Sequence, residues 1–456
     1  MSSITELVSK QRDFFNQNTT RDLAFRIEQL KKLKSVLKDY EDDLLEALKQ
    51  DIRKPSLEAY GAEIGILYWE IDHILKHIKS WAEPERVTGS LINFPSSNYI
   101  YPQPYGVALV IGAWNYPLLL SLSPALGAIA AGNCTIVKPS EISGHTSTIL
   151  AEMINSNFED GYLNVVEGAV DTTQGLLNEP LDYIFFTGST RVGKIIMKKA
   201  AEQLTPLTLE LGGKSPAIVH SDADVEIAAK RIAWGKFINA GQTCVAPDYI
   251  YVQEDIEETL LKHLTEEIRN FYGYEPEKSP DYARIINTKH FNRLKKYLED
   301  GTLVTGGQTN EQDLFIAPTV LKNIDWNDNI MQEEIFGPIL PVMSYKELSD
   351  IIATVRSKPS PLSLYFFSED ESLQEKIIEE LPFGGGCIND TIAHLGNLNL
   401  PFGGLGQSGF GSYHGKRSFD LFSHKKSIVK KPTWPDNPMR YAPYSGKLKW
   451  LKKLFN

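Results

Sequence analysis

The chain has 456 residues, 42% hydrophobic and 23% charged, with 47 Lys/Arg against 58 Asp/Glu and a net charge of -11. That length supports two or three domains with real cores, and the acidic balance excludes a general nucleic-acid binder. Three cysteines (Cys134, Cys244, Cys387) without Cys-x-x-Cys spacing exclude a disulfide scaffold, and nine His without a His-Glu-x-x-His motif give no support to a catalytic zinc site.

The start, Met1-Ser2-Ser3-Ile4-Thr5-Glu6, has neither the basic nor the apolar region of a signal peptide. No apolar run has the length of a membrane span. With unpaired cysteines this predicts a cytoplasmic protein. The first 82 residues read as helices, with apolar residues at three- and four-residue spacing over 21–38, 40–49 and 58–81. Over 83–104, Pro84, Pro95 and Pro102 bracket alternating Leu91, Asn93 and Tyr99-Ile100-Tyr101, which predicts a β-hairpin or arm. Short apolar runs at 107–111, 135–137, 164–166, 183–186 and 207–209 then alternate with helical patterns, as in βαβ units with a parallel sheet. A second set of strands is predicted near 249–252, 339–342, 364–367 and 387–389, so two α/β domains join near residue 211. Residues 425–456 hold nine Lys/Arg and one acid, Asp436. Their end, 447–456, predicts a basic amphipathic helix with Leu448, Leu451 and Phe455 opposite Lys449, Lys452 and Lys453. Such a helix docks on its own protein or a dimer partner, or makes a weak membrane-surface contact.

Several stretches carry chemistry. Gly188-Ser189-Thr190-Arg191-Val192-Gly193 follows an apolar strand and opens a helix over 191–202, an arrangement suited to a pyrophosphate. Thr190 departs from the Rossmann fingerprint, which wants Gly there. Gly193-Lys194 nearly completes a P-loop, but Ile195 lacks the hydroxyl for magnesium. Lys138 and Glu141 stand at a strand end, where they can hydrogen-bond ribose hydroxyls; the carboxylate favours NAD, with NADP tolerated through the neighbouring lysine. Glu210 follows the strand over 207–209, beside Gly212-Gly213, and suits a general base. Asn115 follows the first sheet strand and can donate to an oxyanion. Cys244 sits in a loop of small residues, Gly241-Gln242-Thr243-Cys244-Val245-Ala246-Pro247, after a helix over 224–237.

As a set, Trp114-Asn115-Tyr116-Pro117, Lys138-Pro139-Ser140-Glu141, Phe186-Thr187-Gly188-Ser189-Thr190, Glu210-Leu211-Gly212-Gly213-Lys214, Gly241-Gln242-Thr243-Cys244, Glu333-Glu334-Ile335-Phe336-Gly337-Pro338 and Pro401-Phe402-Gly403-Gly404 resemble the aldehyde dehydrogenase superfamily over nearly the whole chain. Val245-Ala246-Pro247-Asp248-Tyr249, Ser412-Tyr413-His414-Gly415-Lys416-Arg417-Ser418-Phe419 and the short N-terminus resemble its class 3 branch, which includes fatty aldehyde dehydrogenases and is typically dimeric. Phe383-Gly384-Gly385-Gly386-Cys387 departs from the pattern of that superfamily, which tends to have Ser-Gly-Gly and a different following residue.

The resemblance implies an α/β fold: an NAD(P)-binding Rossmann-type domain (1–82 and 105–210), a catalytic domain (211–410), and an oligomerisation arm with C-terminal tail (83–104 and 411–456). It implies Cys244 as nucleophile, Glu210 as base, and Asn115 with the Cys244 N–H as oxyanion hole. For the cofactor it implies Lys138 and Glu141 on the adenosine ribose and Gly188 and Ser189 on the pyrophosphate, with Gly193 allowing a close turn. Glu334 would take the nicotinamide ribose and Phe336 would line the nicotinamide pocket. Tyr116, Ile392, His394, Phe402 and Tyr413 are expected to form an apolar substrate pocket. The implied reaction is NAD(P)-dependent oxidation of a medium- or long-chain or aromatic aldehyde to the acid. The alternatives are a CoA-acylating enzyme, disfavoured by Glu210, a P-loop hydrolase, disfavoured by Ile195, and a non-catalytic binding protein, disfavoured by intact Cys244, Glu210 and Asn115.

Overall fold

The computed structural model describes residues 3–455, so the readings on Met1, Ser2 and Asn456 lie outside the described residues, as do those on the side chains of Leu91 and Phe455. Among the described residues no helix is long and apolar enough to cross a membrane.

The first sheet runs Gly409–Phe410, Leu207–Glu210, Tyr183–Thr187, Val107–Ile111, Cys134–Lys138, Leu163–Val165. All neighbours are parallel except the short first strand, which pairs antiparallel with Leu207–Glu210. The three strands Tyr183–Thr187, Val107–Ile111 and Cys134–Lys138 are buried throughout, so they read as unbroken apolar runs. Helices cover both faces. On one, Leu30, Leu33, Ile71 and Ile74 pack with Leu122 and Leu126 of the almost wholly buried helix Pro117–Ala131. On the other, Leu7 and Val8 pack with Leu176 and Ile196. Strand order reverses at Val107–Ile111. Its successors in sequence lie to one side, and Tyr183–Thr187 returns to the other. That reversal opens a crevice at the strands' C-terminal ends, where doubly wound sheets bind ligands.

The second sheet runs Thr302–Thr305, Thr319–Lys322, Ile339–Tyr345, Tyr249–Gln253, Pro216–Val219, Ser363–Phe367, Gly385–Ile388. Only its first pair is antiparallel. Its core includes Ile218, Ile250, Val342 and Phe366.

Helices Leu23–Asp39 and Glu41–Ile52 fall where spacing predicts them. Helix Ile4–Asn16 is additional, started by a reciprocal Ser3–Glu6 capping box. The helix predicted over 58–81 is split: Ser56–Ala59, a π-turn Tyr60–Ile64, then Gly65–Ala82. In the arm, Leu91–Asn93 is a 3₁₀ turn rather than strand. Glu85–Val87 pairs with Ser97–Pro104, and Ser423–Lys430 completes a three-stranded antiparallel sheet. In the tail helix Lys447–Phe455, among the described side chains, Leu448, Trp450 and Leu451 are 62%, 66% and 49% exposed.

Candidate active site

The cysteine loop is built on constrained backbone. Asn239, Ala240 and Gly241 all take left-handed φ values of 53°, 51° and 72°. At Gly241 a Cβ would lie 2.3 Å from the Gly337 carbonyl oxygen, so only glycine fits. Gln242 locks the loop from inside. Its Nε2 donates to the carbonyls of Asn239 (3.0 Å) and Arg284 (2.9 Å), and its Oε1 accepts from Ile286 N (3.0 Å). Cys244 follows with a half-buried thiol faced by its own N–H and that of Val245. Burial, reinforced by Glu334 and Glu210, pushes this thiol up to about 12, so it rests protonated. Cys134 is buried in the core, and burial raises it likewise.

The loop after Val107–Ile111 meets the cysteine loop directly. Asn115 Nδ2 donates to the Gln242 carbonyl at 3.1 Å, and Tyr116 Oη lies 2.8 Å from Thr243 Oγ1. The Asn115 carbonyl accepts from Asn239 Nδ2 at 3.0 Å and from Lys54 Nζ at 3.1 Å. An amide nitrogen carries two hydrogens. One of Asn115's is engaged by Gln242, which leaves the other for a ligand.

Glu210 ends its strand 3% exposed, and neither carboxylate oxygen has a hydrogen-bond partner. Burial raises its pKa well above the carboxylate range. An orphaned buried carboxyl is costly, and such groups concentrate at functional sites.

Of the expected cofactor residues, Lys138, Glu141, Gly188 and Ser189 stand at the C-terminal ends of strands Cys134–Lys138 and Tyr183–Thr187 of the first sheet. Lys138 is buried and donates to Glu141 Oε2 at 2.8 Å. Burial opposes Glu141's ionisation, but the lysine's hydrogen bond and charge prevail and hold its pKa down. Gly188 N donates to the Glu210 carbonyl at 3.0 Å, and exposed Ser189 caps helix Thr190–Gln203. Gly193 is not in the turn. It lies inside that helix against Leu211, where a Cβ would come within 2.8 Å of Leu211 Cδ2, so it permits close helix–strand packing. Glu334 folds onto the Gly212-Gly213 turn and accepts from Gly213 N. Burial, then Asp248, raises it to about 8. Phe336, at φ 50°, stands edge-on to Trp114 with ring centroids 5.3 Å apart.

Of the expected pocket residues, Phe402 and Tyr413 pack edge to face at 5.7 Å. Ile392 and Cys244 border the same apolar cluster as both. His394 lies tilted against Phe402, with ring centroids 6.2 Å apart, and stands 3.2 Å from Ser363 Oγ and 3.4 Å from Cys387 Sγ; burial lowers its pKa to about 4, so it is neutral.

Sequence reasoning missed Gln242, Asn239, Gly212, Lys214 and Asp248. Lys214 Nζ reaches Asp248 Oδ2 (2.5 Å) and the carbonyls of Ile330 (3.1 Å) and Glu333 (2.9 Å), while Asp248 Oδ1 accepts from Ile335 N (2.9 Å). This pair fixes the Glu334–Phe336 segment. Its signal lay in motifs already singled out, since Lys214 ends one of them and Asp248 stands inside another.

The fold recurs in known proteins. The aldehyde dehydrogenase family matches residues 2–428. The 4,4'-diaponeurosporen-aldehyde dehydrogenase of Staphylococcus aureus (strain NCTC 8325 / PS 47) is 48% identical over 100% of both chains. From Rattus norvegicus, aldehyde dehydrogenase family 3 member A2 is 43% identical over 98% of this chain and 93% of its own, and the dimeric NADP-preferring aldehyde dehydrogenase is 43% identical over 98% and 99%. A solved structure of Staphylococcus aureus AldH in a substrate-bound state superposes with a TM-score of 0.98, at 47% identity and covering 100% of both chains. The chain therefore belongs to the aldehyde dehydrogenase family and is an NAD(P)-dependent oxidoreductase acting on aldehydes.

Proposed function

We propose that Cys244 is the nucleophile, that Asn115 Nδ2 and the Cys244 N–H receive the oxyanion, and that Glu210 is the general base. The observation that carries this reading is a half-buried thiol, an amide with a hydrogen to spare in the adjoining loop, and a buried carboxyl with no partner, close enough for its charge to act on the thiol. The Cys244 thiol releases its proton to solvent as its sulfur bonds to the aldehyde carbon, and the carbonyl oxygen takes negative charge between the two donors. Bound NAD(P) supplies the hydride acceptor. With the hydride gone the acyl group rests on Cys244 as a thioester. Glu210 takes a proton from water, the hydroxyl attacks the thioester carbon, and the carboxylic acid leaves as the thiol is restored.

The crevice residues fit a dinucleotide. Lys138 and Glu141 would hold the adenosine ribose, Gly188 and Ser189 the pyrophosphate at a helix start, Glu334 the nicotinamide ribose, and Phe336 the nicotinamide. Gly193 would act through packing. The cofactor domain would comprise 1–82 and 105–210 and the catalytic domain 211–410, although strand Gly409–Phe410 joins the first sheet. The arm, 83–104 and 411–456, would carry homodimer contacts, in keeping with a dimeric relative. Unpaired cysteines support a cytoplasmic setting.

The substrate reading is a hydrophobic aldehyde, medium- or long-chain or aromatic, against Tyr116, Ile392, His394, Phe402 and Tyr413. The apolar character of that wall supports it, as does a relative named for 4,4'-diaponeurosporen-aldehyde. The exposed tail helix, with Trp450 and four lysines, supports a weak membrane-surface contact. A panel of aldehydes of graded chain length, run with NAD and with NADP, tests this reading. Rising kcat/KM with chain length is expected; preference for short polar aldehydes would contradict it.

A further inference from the structure

We propose that Lys54 and Glu63 form a buried positioning pair that aims the Asn115 amide at the reacting carbon; this rests on Asn115 being an oxyanion donor. Both side chains are fully buried, and Lys54 Nζ lies 2.5 Å from Glu63 Oε1. Lys54 also grips the Asn115-Tyr116-Pro117 turn, and Glu63 the helix start that follows it. Lys54 Nζ donates to the Asn115 carbonyl at 3.1 Å and sits 4.1 Å from the centre of the Tyr116 ring. Glu63 Oε2 accepts from Leu118 N (2.9 Å) and Leu119 N (3.3 Å).

Those two N–H groups open helix Pro117–Ala131, whose own N-cap, Tyr116, provides no side-chain cap. Helix starts need acceptors for such groups. Glu63 supplies one from an element over fifty residues away. It can do so because it stands in the π-turn Tyr60–Ile64, which shifts the helical register just there. Single π-turns inside helices are a frequent mark of functional sites.

A buried ion pair is not required for stability, since apolar residues of similar volume often serve as well or better. An apolar pair, however, cannot hold a backbone carbonyl on one side and two backbone N–H groups on the other. Through that grip the pair sets where the Asn115 backbone sits relative to the Gln242 carbonyl, and so where its free amide hydrogen points. Lys54 and Glu63 touch neither thiol nor carbonyl carbon. They act through Asn115.

The test compares Lys54→Met, the charge-free double variant Lys54→Met/Glu63→Leu, Glu63→Gln and Asn115→Ala. Unfolding midpoint, KM for NAD and the pre-steady-state burst of reduced cofactor are measured for each. Lys54→Met leaves a buried charge alone, so its midpoint falls. The double variant regains the midpoint, yet its burst rate stays down by about 100-fold, the scale of an ångström-level misplacement, with KM for NAD unchanged. Glu63→Gln keeps the shape and folds, and its burst is also slowed. Recovery of the burst together with the midpoint in the double variant would overturn the proposal, as would a full burst rate in Glu63→Gln should the double variant not fold. A normal burst in Asn115→Ala would instead remove the oxyanion reading, and the positioning proposal with it. A slow burst in Asn115→Ala beside fast Lys54 and Glu63 variants overturns the positioning proposal alone.

Discussion

Asn115 and Gln242 join the two halves of the site: the Asn115 Nδ2 group donates to the Gln242 carbonyl at 3.1 Å, from a loop of one sheet to a loop of the other. That hydrogen bond orients the amide and leaves one N–H uncommitted. Replacing Asn115 by Ala is therefore expected to lower the burst rate by about 10²–10³-fold, the usual cost of losing one such donor. Stopped-flow fluorescence of reduced cofactor measures it, and a drop of less than threefold would contradict the assignment.

Glu334 owes its position to a missing side chain. A Cβ on Gly212 would lie 1.9 Å from Glu334 Oε2. Gly212→Ala must push that carboxyl out of the turn. We expect KM for NAD to rise at least tenfold while alkylation of Cys244 by iodoacetamide is unchanged.

The Cys244 thiol is held at about 12, chiefly by burial. A thiol with a raised pKa ionises in proportion to hydroxide throughout the range below it. In cofactor-free protein, the alkylation rate at Cys244, followed by peptide mapping, should rise close to tenfold per pH unit between about pH 6 and pH 10. A plateau near pH 8 would mean the thiolate is stabilised before cofactor binds.

Glu70, buried in helix Gly65–Ala82, is lifted to about 8 by burial, which outweighs the opposing contact of Ser123. Between its ordinary value of 4.5 and 8 the folded state keeps a proton that the unfolded state has lost. Stability then falls as pH rises through that window, by up to ~1.4 kcal/mol per pH unit. Glu70→Gln removes this dependence, so its unfolding midpoint should decline less from pH 5 to pH 8 than the parent's. Equal declines would show that Glu70 does not carry it.

Much of the site was legible because it is local. Cys244, Asn115 and Glu210 each follow a recognisable strand or helix and stand beside Gly or Pro, and the fold brings their loops together. What holds them was not legible. Lys54 reaches Asn115, and Asn239 reaches Glu58 and Asn115, across more than sixty residues, with no local pattern to announce either contact. Strand Ser423–Lys430 escaped because it is mostly exposed and charged, without apolar alternation. Leu91–Asn93 was misread for the opposite reason, since a two-residue alternation also suits a short 3₁₀ turn between prolines.

The exposed tail makes a separate claim. Deleting 447–456 is expected to abolish sedimentation with anionic phosphatidylglycerol vesicles while leaving kcat for a soluble aldehyde within about twofold. Undiminished co-sedimentation would exclude the tail as the membrane contact.

The central claim is that the acyl group passes through Cys244. Glu210→Gln, mixed with NAD and a hydrophobic aldehyde and quenched in acid, should accumulate a hydroxylamine-sensitive acyl adduct, which peptide mass spectrometry locates on Cys244. An adduct on Cys134 or Cys387, or a burst of reduced cofactor with no adduct at all, would contradict the mechanism.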